Sequence, residues 1–352
     1  MRGRLRRRGG LATLRALACL LAAGAAGCTS TPAPGSASDS ASDTDPTGGG
    51  VLRLEQLEPL ARRGDVDAQL ALALVHYEGR GVACDLVQAA HWYGRAAEQG
   101  SAHAQAALGV MAENGEGMPL SDEQAARWYR LAAEQGLAAA QHNLGLMCLT
   151  GRGLPRDEAQ GAAWLHRAAE QGLAVAQLSL AALHSEGRGV PRDDEQAVRW
   201  LHLAAAQGVP AAQANLAACF LNGRGVPQDP AQASRWLRLA AEQGHAGAQY
   251  NLALLYLRGQ GVSQIDAEAA RWLRLAADQG LVTAQGRLGT MCEYGRGVPR
   301  DDIEAYAWYS LAAAQGDGAS AERRTLLVER MSAEQVQAGR ARAQAWVARR
   351  GR

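Results

Sequence analysis

The chain has 352 residues and a formal net charge of +1, and all 36 of its basic residues are arginine. Without lysine there is no G-x-x-x-x-G-K phosphate loop, no S-x-x-K nucleophile and no Schiff-base amine. The near-neutral balance gives no electrostatic footprint for nucleic acid, and an alanine- and leucine-rich chain with only 5% aromatic residues favours helix.

The first 27 residues read as an export signal. Arginines at 2, 4, 6, 7 and 8 precede a short apolar run, Ala16 to Ala26, too short to span a bilayer. The ending Ala25-Ala26-Gly27-Cys28 resembles a bacterial lipobox, although leucine is the usual residue where Ala25 stands. That resemblance implies cleavage before Cys28, lipidation of its thiol and, because Thr29 rather than aspartate follows, sorting to the outer membrane. The alternative is ordinary signal-peptidase cleavage near Ala23-Gly24-Ala25, leaving Cys28 a free thiol. Removing residues 1–27 takes away six arginines and no acid, which moves the net charge from +1 to −5. Residues 28–50 are small, polar, proline or glycine apart from alanine; they read as a flexible tether that lets a domain stand off a membrane.

From residue 51 the sequence becomes periodic, and 51–330 reads as one solenoid. Residues 52–63 predict a leading cap helix. Gly64, Gly100, Gly136, Gly172, Gly208, Gly244, Gly280 and Gly316 recur every 36 residues. Trp92, Trp128, Trp164, Trp200, Trp236, Trp272 and Trp308 keep the same step, as do seven G-x-G pairs from Gly79/Gly81 to Gly295/Gly297. Seven units without an insertion mark stacked repeats.

Each unit reads as two helices. The first is expected to begin at an Ala-Gln pair, as in AQHNLGLMCLTG at 140–151, whose apolar residues form one helical stripe. The G-x-G pair ends it. The second is expected to open on a reciprocal capping box, with Asp85, Ser121, Asp157, Asp193, Asp229 and Asp301 as N-caps. Gln88, Gln124, Gln160, Gln196, Gln232 and Glu304 would reach back to the cap amides. Ile265 occupies the cap slot of the sixth unit beside Asp266, which predicts a start one residue late. A-A-E-Q-G then closes the unit: its alanines allow close helix approach and its glycine supplies positive φ, while the acid gives way to Ala206 or Asp278. A carboxylate with a catalytic duty would not vary in that way. Residues 331–352 read as a closing helix and a basic tail.

The pattern A-Q-x-x-L-G … G-x-G-V-P-x-D-x-x-x-A-x-x-W-x-x-x-A-A-E-Q-G resembles the Sel1-like repeat across about residues 64–316. The 36-residue period distinguishes it from the 34-residue tetratricopeptide repeat. The resemblance implies an all-α, right-handed α-solenoid with terminal capping helices that binds other proteins, in roles such as assembling envelope or export machinery or regulating a cell-wall enzyme. A disulfide-rich branch of the family pairs a cysteine late in the first helix with one in the following loop, and β-lactam hydrolysis has been attributed to it. Here Arg156 and Arg300 stand eight residues after Cys148 and Cys292, and His76 stands eight before Cys84. No intramolecular disulfide is expected, and Cys148 and Cys292 are expected to be buried thiols.

The seven tryptophans read as a core ladder rather than an aromatic ligand track, each truncation costing roughly 3–5 kcal/mol. The histidines make no H-E-x-x-H or C-x-x-C…H set, so no metal is expected. Function is expected where the repeat varies. Two residues after the repeated glutamine stand Asn143, Ser179, Asn215, Asn251 and Arg287, preceded in two units by His142 and Tyr250. These positions are expected to line the concave first-helix surface as a hydrogen-bonding ladder for an extended peptide. Arg80, Arg152, Arg188, Arg224 and Arg296, inside the G-x-G turns, read as solvated loop charge near acids such as Asp193 and Asp301, against a role in reading acidic partners.

The expectation is a non-enzymatic interaction scaffold of the cell envelope. It is anchored to the membrane by lipid and binds an envelope protein, with no nucleic acid, cofactor or metal. The alternatives are a hydrolase of the disulfide-rich type and a purely structural envelope lipoprotein.

Overall fold

A computed structural model describes residues 54–350; the signal, Cys28 and the tether lie outside the described residues. All regular structure within them is helical, and no strand occurs among the described residues. Helix α1 (Leu54–Arg62) leads. Seven pairs follow: α2 (Val66–Glu78) with α3 (Leu86–Glu98), α4 (Ala102–Asn114) with α5 (Asp122–Glu134), α6 (Ala138–Thr150) with α7 (Glu158–Glu170), α8 (Ala174–Glu186) with α9 (Asp194–Ala206), α10 (Pro210–Asn222) with α11 (Pro230–Glu242), α12 (Ala246–Arg258) with α13 (Asp266–Asp278), and α14 (Val282–Tyr294) with α15 (Asp302–Ala314). Helices α16 (Gly318–Val328) and α17 (Ala333–Arg350) end the chain. The fold is an all-α solenoid. The described residues divide into two compact units: 54–176 with Arg188–Val190, and Gln177–Gly187 with 191–350. Within each unit, a second helix packs on its own first helix and on the first helix of the next repeat.

The second helices begin where the sequence places them, but only half of the expected capping box forms. Asp85, Ser121, Asp157, Asp193, Asp229 and Asp301 each accept from the amide three residues on, at 2.9–3.2 Å. Their own amides do not wait for the glutamine side chain. They donate instead to His76 O, Ala112 O, Cys148 O, His184 O, Phe220 O and Cys292 O, at 2.9–3.0 Å, in the last turn of the preceding helix. This backbone bond fixes the register whatever the cap residue is. Ile265, with no side chain to cap, still donates to Tyr256 O at 3.1 Å, and α13 starts at Asp266 in the common register rather than one residue late. The full reciprocal box occurs at α17, where no such carbonyl competes: Ser332 N donates to Gln335 Oε1 at 2.8 Å and Gln335 N to Ser332 Oγ at 3.2 Å.

The first helices start two residues before the Ala-Gln pair, because the residue after the closing glycine is already extended and serves as N-cap. Asp65, Ser101 and His245 accept a cap bond there, whereas Leu137, Val209 and Leu281 offer none.

The core is alanine and leucine, and its largest repeated side chain is not the tryptophan. Trp92, Trp272 and Trp308 are buried, but Trp128, Trp164, Trp200 and Trp236 are half-buried at the edge of the pair. The residue after each tryptophan goes inside: Tyr93, Tyr129, Leu165, Leu201, Leu237, Leu273 and Tyr309 are buried in every repeat. A helix face is about 100° wide, and the Ala-Ala of A-A-E-Q-G, buried in the six repeats from Ala96-Ala97 to Ala276-Ala277, centres that face one residue beyond the tryptophan. The tryptophan ladder expected in the core is therefore a ladder of tyrosine and leucine.

The G-x-G turn is where repeats meet. A Cβ on Gly117, Gly153, Gly189, Gly225, Gly261 or Gly297 would stand 2.0–2.2 Å from the carbonyl oxygen of Leu86, Asp122, Glu158, Asp194, Pro230 or Asp266 respectively. Each of those residues is the first of the previous repeat's second helix. Positive φ and this close approach both demand glycine.

Candidate functional site

The varying positions sit on a rigid frame. In each first helix the repeated glutamine, from Gln69 to Gln285, is buried. Its Oε1 accepts from the glutamine of the closing A-E-Q-G or its variants. Gln99 donates to Gln69, Gln135 to Gln105, Gln171 to Gln141, Gln207 to Gln177, Gln243 to Gln213, Gln279 to Gln249 and Gln315 to Gln285, all at 2.7–2.9 Å. The Nε2 atoms of Gln69, Gln105, Gln141, Gln213, Gln249 and Gln285 donate to the alanine carbonyl eight residues back, at 2.9–3.3 Å. Buried amides are tolerated only when satisfied in this way. The invariance of both glutamines was a signal in the sequence for this ladder.

Two residues beyond that anchor, Asn215, Asn251 and Arg287 are exposed and Ser179 is half-buried; all four recur at the repeat spacing in the second unit. Tyr250 is half-buried against the core of the same unit. His142 and Asn143 belong to the first unit and are engaged with each other, Nδ1 to Oδ1 at 3.3 Å. Burial holds the His142 imidazole below its usual pKa, so it is neutral near pH 7. The structure thus sets His142 and Asn143 apart from the open ladder expected of them.

Seven residues further along the same helices, Glu186, Asn222, Arg258 and Tyr294 are also exposed. Two helical turns bring them onto the face of Ser179, Asn215, Asn251 and Arg287. They extend the candidate surface, and spacing alone could have found them. Between α8, α9 and α10 this face opens into a groove of about 270 Å³, lined by Ser185, Glu186, Asp194, Asn215, Asn222 and Arg224 among others. Arg224 donates to Asp194 Oδ1 at 2.8 Å and Ser185 Oγ at 3.1 Å. The hydrogen bond from Arg224, then that from Arg192, holds the Asp194 carboxyl below the usual carboxylate range. The groove offers two side-chain amides beside charges that already have partners.

The turn arginines are ties between repeats. Arg152 pairs with Asp122 and with Glu113 (3.0 Å), Arg188 with Glu158 (3.1 Å), Arg224 with Asp194 (2.8 Å) and Arg296 with Asp266 (3.2 Å). Apart from Glu113, in the last turn of α4, their partners are first-turn acids of the preceding repeat, not the cap residues Asp193 and Asp301; Arg80, in the first G-x-G turn, pairs instead with Glu78 of its own repeat. Where that acid is missing, so is the arginine: Leu86 is followed one repeat later by Glu116, and Pro230 by Gln260.

Cys148 and Cys292 are buried, and burial raises both thiols, Cys292 to about 11. Cys84 is exposed and Cys219 half-buried, and all four cysteines among the described residues are free. No group of three or more potential metal ligands occurs among the described residues, and no helix there is long and apolar enough to cross a membrane.

Seven consecutive segments match the Sel1 repeat model: residues 66–101, 102–137, 138–173, 174–209, 210–245, 246–281 and 282–317. A Sel1 repeat protein from Oxalobacter formigenes is similar in structure, with a TM-score of 0.66 and 38% identity over 78% of this chain and 79% of that one. So is c5321, a protective antigen of uropathogenic Escherichia coli with an SLR fold, at a TM-score of 0.51 and 27% identity over 84% of this chain and 86% of that one. No curated protein matches the chain significantly.

Proposed function

Because the chain belongs to the Sel1 repeat family, whose repeats generally mediate protein–protein contacts, we propose that it is a non-enzymatic scaffold of the bacterial cell envelope holding an extended protein segment along its first-helix face. The observation that carries this reading is the contrast within one helix: a buried glutamine held by two hydrogen bonds, and two residues later an exposed side chain that differs from repeat to repeat. A face on a fixed frame binds with little ordering cost, because the backbone is already in place. Asn215 and Asn222, with Asn251 and Arg258 one repeat on, present paired donors and acceptors to a peptide backbone, and Tyr294 adds an aromatic surface. Interfaces are enriched in such aromatic and arginine side chains.

The test is a photocrosslinker at position 222 in the full chain, compared with one on the exposed second-helix residue Arg235. The proposal expects one recurrent envelope protein to crosslink at 222 and not at 235. Replacing Asn215 and Asn251 together by alanine should abolish that product while thermal unfolding stays unchanged. Equal capture at both positions, or no loss in the double variant, sinks it.

The envelope assignment draws support from the residues before the repeats, a signal-like segment, a lipobox-like Cys28 and a tether. The E. coli relative's being a protective antigen supports it as well. Cys28→Ser is expected to move the protein from the membrane to the soluble envelope fraction; a wild type already soluble would refute lipidation.

A further inference from the structure

The C-terminal end closes the solenoid as no repeat does. Helices α16 and α17 both pack on α15 rather than chiefly on each other. Gly339 brings α17 so close to α15 that a Cβ there would stand 2.6 Å from Tyr306 Cδ1. The arrangement leaves a crevice of about 510 Å³ among the three helices, within the range of small-molecule sites. Its polar lining is Tyr306 and Ser310 from α15, Arg324 and Thr325 from α16, and Arg340 and Gln344 from α17, with Val328 and Ala343 as apolar wall.

None of these lining residues is acidic. That is unusual in this chain, where Arg323, Arg330 and Arg342 close by are paired with Glu293, Asp302, and Asp301 with Glu304. Those pairs occupy the nearby carboxylates. Arg324 has no acidic partner among the described residues, and Arg340 donates only to the Tyr306 hydroxyl, at 3.2 Å. The Ser310 hydroxyl oxygen is buried with no hydrogen-bond partner. A buried hydroxyl without a partner is rare and calls for an explanation. The Thr325 hydroxyl already donates its hydrogen bond to Ala321 O at 3.0 Å. The donors left over are two guanidiniums, one serine hydroxyl and one amide, gathered on three helices around one space.

We propose that this crevice binds a small organic anion, with Arg324 and Arg340 taking its carboxylate or phosphate oxygens and Ser310 completing the contact. Guanidinium forks suit both groups, since each presents two oxygens to two parallel N–H donors. The site lies apart from the first-helix face and does not depend on the scaffold reading.

The full chain in detergent is titrated calorimetrically with inorganic phosphate, glucose 6-phosphate, citrate and, as the neutral control, glucose. At least one anion is expected to bind while glucose does not. Binding of the two phosphates alone assigns a phosphate group, binding of citrate alone a carboxylate, and binding of both the shared oxyanion chemistry. Arg324→Gln should weaken binding at least about tenfold, the loss of one charge-assisted contact, with an unchanged unfolding midpoint. Arg340→Gln should do the same; if it also loosens α17 through the lost Tyr306 bond, Arg324→Gln alone decides. The proposal is overturned if no anion binds, if glucose binds as well as the anions, or if Arg324→Gln binds like the wild type.

Discussion

The first G-x-G turn and the six that follow share one local conformation and differ in what lies against them. Gly81 has φ +73° and open space where a Cβ would go; Gly225 has φ +67° and the Asp194 carbonyl there. The first turn shows what the loop needs, and the later turns show what stacking adds. The largest expected effect is therefore a difference between two equal substitutions. Gly225→Ala combines left-handed strain with a backbone clash and should cost more than about 4 kcal/mol, into the range where the array loses cooperativity. Gly81→Ala meets only the strain and should cost about 1–2 kcal/mol. Urea unfolding followed by circular dichroism measures both, and equal losses would break the comparison.

The last tryptophan of the series and the middle one differ in the same sense. Trp308 is covered by Trp346 of α17, ring centroids 6.3 Å apart and nearly perpendicular, while Trp200 stays half-buried. Trp308→Ala should cost roughly 3–5 kcal/mol and Trp200→Ala less, with Leu201→Ala costing about 2–5 kcal/mol despite its smaller side chain. Denaturant midpoints rank the three; Trp200→Ala above Leu201→Ala would return the tryptophan to the core.

Within a repeat, the glutamine rung is next. Gln213→Leu removes two hydrogen bonds, to Ala205 O and from Gln243, although Ala205 O keeps Gly208 N and Gln243 keeps Leu239 O, and should cost about 1–3 kcal/mol in all. Gln243→Ala, whose side chain reaches water, should cost less; the same unfolding experiment reads the difference.

The smallest effect belongs to the arginine ties, which are exposed and screened. The Asp194 carboxyl is depressed in the fold, so its contribution is present above the ordinary carboxylate range and fades as pH falls through the lowered value. Arg224→Gln should therefore lower the unfolding midpoint at neutral pH and low salt. It should leave the midpoint unchanged at strongly acidic pH or in molar salt. A deficit that survives both conditions points to packing by the arginine stem instead.

The period, the helix pairs, the second-helix starts and the closing helix were legible because each rests on local chemistry: glycine, a cap residue, an apolar stripe. What was not legible involves groups far apart in sequence. The Gln99–Gln69 rung joins residues 30 apart: invariance marks both glutamines as fixed, but not as each other's partner. The capping box failed for the same reason, since the rival acceptor for the cap amide sits in the preceding helix. Ile265 gives no start signal of its own, because a missing cap side chain says nothing about its backbone N–H donating to Tyr256 O. Tryptophan stands out by size, while the buried position beside it is tyrosine in three repeats and leucine in four, which hides its constancy. For the candidate surface, variability pointed to Asn215 and Asn251 but not to Asn222 and Arg258, which share their face through two turns of helix. It also included His142 and Asn143, which the fold turns toward each other.

The matching of each turn residue to the first residue of the previous repeat's second helix gives the repeats an order. Arg224 belongs after Asp194 and Gln260 after Pro230, so a repeat carries half of a message whose other half is in its neighbour. Cutting the gene at whole-repeat boundaries and rejoining the pieces in another sequence would preserve every helix and every glycine, yet placing the seventh repeat directly after the fifth would set Arg296 against Pro230. Such a shuffled chain keeps its parts and loses its grammar: the array can grow by duplicating neighbours together, but not by trading them singly.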